Sequence, residues 1–170
     1  MRLFIGLEPT AEFRQSLAEL QAQLLRAGIQ GRPLAPSNFH LTLAFIGQWP
    51  EDVTAFLPAV SRPFSITLSQ PGIFQEAKVL YAGVQPSEEL ASLAEQVRRN
   101  LDHAGIPCDR QPFCPHITLI RKPLLPCASV LTSIPFSPVS MTVREVCLYS
   151  SVHERTGMVY TVIGRSGERG

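Results

Sequence analysis

The 170-residue sequence has no long apolar run, almost no net charge, only two lysines and no cysteine before position 108, and each shortage excludes something. The early apolar stretch Leu3 to Leu7 is shorter than a signal-peptide core and stops at Glu8-Pro9, and no run approaches membrane-spanning length, so neither a secretory leader nor a membrane span is expected. A formal charge of +1 rules out a strongly basic coat. Tight, sequence-independent binding to long nucleic acid is therefore not suggested, whereas a small or terminal anionic substrate is left open. Thirteen of the fifteen basic residues are arginine, which suits forked recognition of phosphate and is equally well explained by codon bias. Cys108, Cys114, Cys127 and Cys147 have no Cys-x-x-Cys spacing, so no metal site is expected and the thiols read as reduced and mostly buried in a cytoplasmic protein. A phosphate-cradling glycine loop with its lysine is also missing, which gives an ATP-driven ligase no support.

What the sequence does have is an internal repeat. His40-Leu41-Thr42-Leu43 returns as His116-Ile117-Thr118-Leu119, and Gly6 to Ile29 aligns without a gap on Gly83 to Ile106, with Ala-Gly-Ile closing both copies. Pro63-Phe64-Ser65 is echoed by Pro135-Phe136-Ser137. Two copies are too few for a solenoid and suit a pseudo-twofold pair of lobes. The expectation is a single domain over residues 1–170, with the repeat at about 2–69 and 79–148. Its fold class is α+β: two pseudo-symmetric lobes, each an antiparallel sheet with helices on its outer side, around a central groove. A monomer is expected.

Along the chain, Arg2 to Leu7 reads as an interior strand. Thr10 caps a helix whose Phe13, Leu17, Leu20, Leu24 and Leu25 share a face, and Gly28 stops it. Gln30 to Pro36 reads as loop and Asn38 to Gly47 as the first His/Thr strand. Glu51 to Val60 has helical spacing, Phe64 to Leu68 alternates as a strand, and Gly72 to Glu76 turns the chain. Val79 to Val84 and the helix opened by Pro86-Ser87-Glu88-Glu89 repeat the first unit, and a loop from Pro107 to Pro115 leads to the second His/Thr strand. Ala128 to Leu131 is at most a helical turn, Ser140 to Leu148 and Met158 to Ile163 pair as strands through Ser150 to Gly157, and Arg165 to Gly170 reads as a frayed tail.

Side chains alternate across a strand, so His40 with Thr42, and His116 with Thr118, each face away from the leucines and isoleucines of their own strand. Two imidazoles across a groove form a complete acid/base pair for phosphodiester chemistry. One takes a proton from the attacking water, the other gives one to the leaving oxygen, and a threonine hydroxyl on the same face can donate to a phosphate oxygen. His103 reads as a helix-end surface residue, His153 as exposed, and Arg98 and Arg99 as a solvated helix face. Arg32, Arg110 and Lys122, beside the loops of the motif strands, are better placed to touch a substrate backbone.

Asn38 to Gly47 together with Pro115-His116-Ile117-Thr118-Leu119-Ile120-Arg121 resembles the paired signatures of the two-histidine phosphoesterase superfamily, and within it the LigT-like RNA 2′,3′-cyclic phosphodiesterases. The resemblance implies metal-independent opening of RNA or nucleoside 2′,3′-cyclic phosphates to 2′-phosphates, with possible reversal as 2′,5′ RNA ligation. It implies His40 as proton donor, His116 as proton acceptor, Thr42 and Thr118 on the phosphate, no cofactor, and RNA ends or small cyclic nucleotides as partners. Arg121 matches a family arginine near the phosphate, although parity places it with Ile117 and Leu119 unless a bulge or strand end near Pro123 turns it. Phe45 holds the equivalent place after His40: a ring there can stack a base, while parity favours the core. Other phosphodiesters, such as an ADP-ribose cyclic phosphate or 2′,5′-linked oligonucleotides, and a non-catalytic RNA-end-binding module are the alternatives.

Overall fold

The repeated Ala-Gly-Ile explains itself in the helix ends. A computed structural model describes residues 1–167, and in it Thr10 and Ser87 cap helices α1 (Ala11–Arg26) and α2 (Glu88–His103) by accepting from the backbone N–H of Phe13 and Leu90. Both helices close in the same way. The N–H of Gly28 donates to Leu25 and that of Ile29 to Leu24, and the N–H of Gly105 donates to Asp102 and that of Ile106 to Leu101. Gly28 and Gly105 take left-handed φ values of 101° and 73°, and the isoleucine that follows each is buried, as a Schellman ending requires.

Among the described residues, nine strands form one curled antiparallel sheet. They are β1 (Arg2–Leu7), β2 (Gln30–Pro33), β3 (Leu41–Gln48), β4 (Phe64–Phe74), β5 (Val79–Val84), β6 (His116–Leu124), β7 (Ser140–Val143), β8 (Cys147–Glu154) and β9 (Gly157–Arg165). The order is β7-β4-β5-β6-β3-β1-β8-β9, with β2 on β6, so the expected antiparallel α+β architecture holds and the two halves of the repeat join where β3 meets β6. A third, four-residue helix, α3 (Val130–Ser133), supplies the expected turn. The core joins Phe13, Leu17 and Leu24 of α1 and Leu90, Val97 and Leu101 of α2 to Leu41, Leu43, Ile117 and Leu119 of the sheet. The helices therefore cover the aliphatic face of the motif strands and leave the His/Thr face uncovered.

Four expectations need correction. Glu51 to Val60 forms one 3-10 turn, Thr54–Phe56, because Asp52 accepts from the Thr54 N–H at 2.7 Å and Pro58 forces Leu57 into extended backbone. Gln30–Pro33 is a short strand rather than loop. A Cβ on Gly31 would lie 2.9 Å from the Arg121 carbonyl oxygen, so glycine is what lets β2 lie against β6. β4 runs on to Phe74, past the expected turn at Gly72, absorbing Pro71 at a register shift between Ser69 and Pro71. Ser140 to Leu148 is two strands: β7 pairs with β4 at one edge of the sheet, and β8 lies between β1 and β9 toward the other.

The predicted tail is ordered at its start. Arg165 lies in β9 and reaches Glu8 at 3.0 Å and Glu145 at 2.6 Å, and buried Ser166 accepts from the Val146 N–H; the rest of that expectation, from 168 on, falls outside the described residues. The cysteines differ as well. All four are free, but only Cys147 is buried, while Cys114 and Cys127 are exposed. Among the described residues no helix is long and apolar enough to cross a membrane, and no group of three His, Cys, Asp or Glu is arranged to hold a metal.

Candidate active site

The two motif strands, β3 and β6, pair at one position, Leu41 opposite Ile117. Both side chains are buried against the helices. Carried one residue either way, the antiparallel register sets His40 across from Thr118 and Thr42 across from His116, all four on the face the helices leave bare. The duplication thus becomes a local twofold, with one histidine and one threonine from each copy at each end.

Each ring is turned the same way. Nδ1 of His40 donates to the Asn38 carbonyl at 2.8 Å, and Nδ1 of His116 donates to the Cys114 carbonyl at 2.7 Å. A carbonyl can only accept, so this bond fixes the tautomer and leaves Nε2 of each ring for chemistry. Aromatic walls hold the rings. His40 lies 4.5 Å from Phe4 and edge-on to Tyr160 at 5.1 Å; His116 lies edge-on to Phe74 at 4.8 Å and 5.5 Å from Tyr81. Phe4 and Tyr81 occupy equivalent places in the repeat once the offset that sets Gly6 on Gly83 is carried two residues upstream of the gapless alignment. Burial among these rings lowers the pKa of His40 to about 4, opposed by its hydrogen bond to Asn38 and reinforced by the positive charge of Arg121 and by His116. Burial lowers His116 as well, against its bond to Cys114. Both imidazoles are neutral in the empty site near pH 7.

Arg121 reaches this face by a bulge earlier than Pro123. β6 pairs Thr118 with Tyr81 but Ile120 with Leu80, so Leu119 and Ile120 together oppose one step of β5. Both are fully buried, parity resets, and Arg121 emerges beside the histidines, its Nη2 donating to the Tyr160 hydroxyl at 3.0 Å. β3 does the same. Gly6 pairs with Thr42 but Ile5 with Ala44, which buries Leu43 and Ala44 and returns Phe45 to the His/Thr face. The parity argument for a core Phe45 is thereby corrected: the ring is half-buried, packs against the small cluster of Phe4, Cys147 and Tyr149, and carries the Arg2 guanidinium 5.1 Å from its centroid.

Polar side chains from the helices brace both bulges. Gln21 of α1, 8% exposed, donates from Nε2 to the carbonyls of Leu34 at 2.9 Å and Leu119 at 2.8 Å. Its equivalent in the repeat is Arg98 of α2, which donates to the Gln111 carbonyl at 2.7 Å and pairs with Asp109 at 3.8 Å. Asp109 in turn accepts from the Phe45 N–H at 2.9 Å. Each helix thus supports the motif strand of the other half. Arg98 is not the solvated residue its helix spacing suggests. Asn38 adds a third brace, its side-chain amide donating to the Met158 carbonyl and accepting from the Tyr160 N–H, so one residue sets both His40 and its aromatic neighbour. Gln21, Asp109 and Tyr160 were invisible to motif spacing, and Asn38, which opens the first motif stretch, had no role assigned by it.

The groove has two chambers that share Thr42. One, of about 510 Å³, is lined by His40, Thr118, Phe45, Arg121, Tyr160 and Arg2. The other, of about 730 Å³, lies on the far side of His116 between Phe74 and Phe113. Arg110, expected near substrate, is instead held by Asp102 at 2.6 Å, and Arg32 and Lys122 line neither chamber. Arg99 pairs with Glu95 on the outer face, His103 ends α2, and His153 is exposed in β8.

Two histidines with free Nε2 atoms, two threonines and an arginine line the two chambers on a curled antiparallel sheet, the arrangement expected of a two-histidine phosphoesterase. Residues 9–155 match the family described as the 2′-5′ RNA ligase superfamily, and the chain belongs to that family. It is 32% identical to the RNA 2′,3′-cyclic phosphodiesterase of Escherichia coli, covering 96% of this chain and 94% of that protein. To the RNA 2′,3′-cyclic phosphodiesterase of Thermotoga maritima it is 29% identical over 96% and 93%. Among solved structures, E. coli LigT complexed with 3′-AMP superposes with a TM-score of 0.77 at 31% identity, covering 96% of this chain and 95% of that one.

Proposed function

We propose that the chain acts, as a single two-lobed domain, to hydrolyse RNA or nucleoside 2′,3′-cyclic phosphates to 2′-phosphates. The cyclic phosphate sits over the Leu41–Ile117 pair, and the Thr42 and Thr118 hydroxyls with Arg121 donate to its non-bridging oxygens, where negative charge develops. His116 accepts the proton of the attacking water and His40 gives its proton to the departing 3′ oxygen. The P–O bond to water forms, the P–O3′ bond breaks, and the protons balance with no cofactor. His40 is neutral in the empty site, so the anionic substrate does part of the work: a phosphodiester held against a buried ring favours the imidazolium. Phe45 offers its face to the nucleobase.

The observation that carries this reading is the matched tautomer of two histidines flanking one backbone pair. A binding module for RNA ends has no use for two Nε2 atoms held free in this way. The four free cysteines support a cytoplasmic setting, and nothing in the proposed chemistry asks for a second copy. The test is turnover of a short RNA ending in a 2′,3′-cyclic phosphate in the presence of EDTA, with the position of the retained phosphate determined. His40→Ala and His116→Ala should each lower kcat by roughly 10²–10⁴, the usual contribution of one positioned proton transfer. Full activity in either variant, or saturable binding without product in the wild-type protein, overturns the assignment.

A further inference from the structure

The His40 chamber is lined by two arginines and by no acidic residue, whereas a nucleoside 2′,3′-cyclic phosphate brings one negative charge. We propose that Arg2 is a specificity residue: with Ser151 it binds the phosphodiester on the 5′ side of the terminal nucleotide, and so favours RNA ends over free nucleoside cyclic phosphates. The proposal rests on the phosphodiesterase reading and narrows its substrate.

Arg121 is accounted for by the cyclic phosphate and by the Tyr160 hydroxyl. Arg2 is not. Among the described residues its guanidinium makes no ion pair and no hydrogen bond, so all five N–H donors are unused. The cation is nonetheless held in place. Arg2 pairs with Gln48 in the β1–β3 ladder, the Met1 ammonium donates to the Trp49 carbonyl at 2.8 Å, and the Trp49 N–H donates to the Met1 carbonyl at 2.7 Å. The head of the side chain rests over Phe45, 5.1 Å from the ring centroid. A long side chain fixed before substrate arrives loses less entropy on binding than a free one. A second donor stands beside it. The β1–β8 register that sets Leu3 on Ser150 carries Ser151 across from Arg2, and the half-buried Ser151 hydroxyl lines the same chamber without a hydrogen-bond partner among the described residues.

The sugar decides where the next phosphate falls. In a ribose, C1′ and C4′ flank the ring oxygen on the edge remote from O2′ and O3′, and the base and C5′ project from the same face. With the cyclic phosphate at Thr42 and Thr118 and the base at Phe45, the 5′ oxygen is directed toward the Phe45 end of the chamber, where Arg2 and Ser151 lie. The duplication supplies a contrast. The offset that sets Gly6 on Gly83 sets Arg2 on Val79, so the other half has an aliphatic side chain at that place and no cation. The added charge belongs to the side that takes the terminal ribose.

The test uses three probes on the full chain: adenosine 2′,3′-cyclic phosphate, a 3′,5′-linked adenosine dinucleotide ending in a 2′,3′-cyclic phosphate and a 5′-hydroxyl, and the same dinucleotide with a neutral methylphosphonate linkage. The readout is the ratio of kcat/KM for the charged dinucleotide to that for the neutral one, in which any effect of Arg2 on Phe45, or of the added base, cancels. The wild-type protein should favour the charged linkage about tenfold, chiefly through KM, as for one hydrogen bond to a charged group, and should favour it over the mononucleotide as well. Arg2→Ala should bring the ratio of charged to neutral dinucleotide close to one. In wild type the log–log dependence of KM on salt should be steeper for the charged dinucleotide than for the neutral one by about 0.7, the increment for one phosphate of a single strand, and Arg2→Ala should abolish that difference. A wild-type protein that turns over the mononucleotide but treats the two dinucleotides alike, or a charged preference that survives Arg2→Ala, overturns the role of Arg2 and spares the phosphodiesterase reading. A wild-type protein inactive on all three probes removes the phosphodiesterase reading, and this proposal with it.

Discussion

Gln21 is the residue whose replacement tests how the fold sets the site. It lies on α1 far along the chain from either motif, yet its amide donates to Leu34 in the loop before β3 and to Leu119 inside the β6 bulge. Gln21→Leu keeps the volume and removes both donors. The two carbonyls are not left equal, because Leu119 still accepts from the Leu34 N–H at 2.9 Å, whereas the Leu34 carbonyl loses its amide partner. One largely stranded acceptor and one weakened one cost about 2–3 kcal/mol, offset in part by the added apolar burial. For a chain of this size that is a fall in Tm of roughly 4–10 °C. Gln21→Glu should be worse than Gln21→Leu, since a carboxylate cannot donate and sets a negative charge against two carbonyl oxygens.

The functional consequence follows from where the bulge sits. Leu119 and Ile120 are the residues that turn Arg121 onto the His/Thr face, while His116 precedes the bulge and keeps its bond to Cys114. Gln21→Leu should therefore raise KM for a cyclic phosphate more than it lowers kcat. Thermal unfolding watched by circular dichroism and steady-state kinetics on the purified variant measure both effects. A Tm within about 1 °C of wild type, or loss of kcat with KM unchanged, refutes the claim that this amide braces the bulge.

The pH dependence has a definite sign. Both histidine pKa values are lowered by burial, His40 to about 4, so in the free protein the form with one ring charged and one neutral is confined below pH 6.5; kcat/KM should be bell-shaped with its alkaline limb already falling about tenfold per pH unit above that value. The bell for kcat should lie at higher pH, because bound phosphodiester favours the imidazolium; a kcat/KM that climbs from pH 6.5 to 8 contradicts the burial argument. Tyr160→Phe removes the hydroxyl that accepts from Arg121 and leaves the ring beside His40, so KM should rise about three- to tenfold with little change in kcat, and an equal fall in kcat would mean that the hydroxyl touches the reaction itself.

The repeat made much of this molecule readable. Thr10 and Ser87, and the two Ala-Gly-Ile closures, each determine a helix end by local chemistry that needs no partner, and the His/Thr alternation determines which side of its strand is apolar. Bulges escape that kind of reading. Leu43-Ala44 and Leu119-Ile120 are apolar pairs within apolar strands, and nothing local says that two residues there oppose one; only the pairing of β1 with β3 and β5 with β6 decides it. Strict alternation therefore misplaces Phe45 and leaves Arg121 unexplained. The strand β2 was hidden because Gly31 and Pro33 signal a loop locally while β6 supplies a ladder from a distant part of the chain. Glu51 to Val60 failed for the opposite reason: its apolar spacing is real, with Val53 and Leu57 both buried, but an Asx turn and Pro58 stop the backbone from coiling.

The two copies share geometry and divide the chemistry. Equivalent bulges deliver a guanidinium in one half and a phenyl ring in the other, equivalent helix positions hold a neutral amide in α1 and a cation in α2, and equivalent β-strand positions put Phe4 beside His40 and Tyr81 beside His116. A strictly symmetric pair of lobes would offer two identical chambers, with each histidine as fit to be acid as base. A cyclic nucleotide is not symmetric: one flank is a charged phosphate on a ribose and the other is water or a second hydroxyl. The positive charge of Arg121 acts on His40, whereas no charged neighbour shifts His116, whose aromatic wall borders a chamber with more acidic than basic lining. Divergence at a handful of paired positions, with the scaffold unchanged, is sufficient to tell the two sides of one phosphorus atom apart.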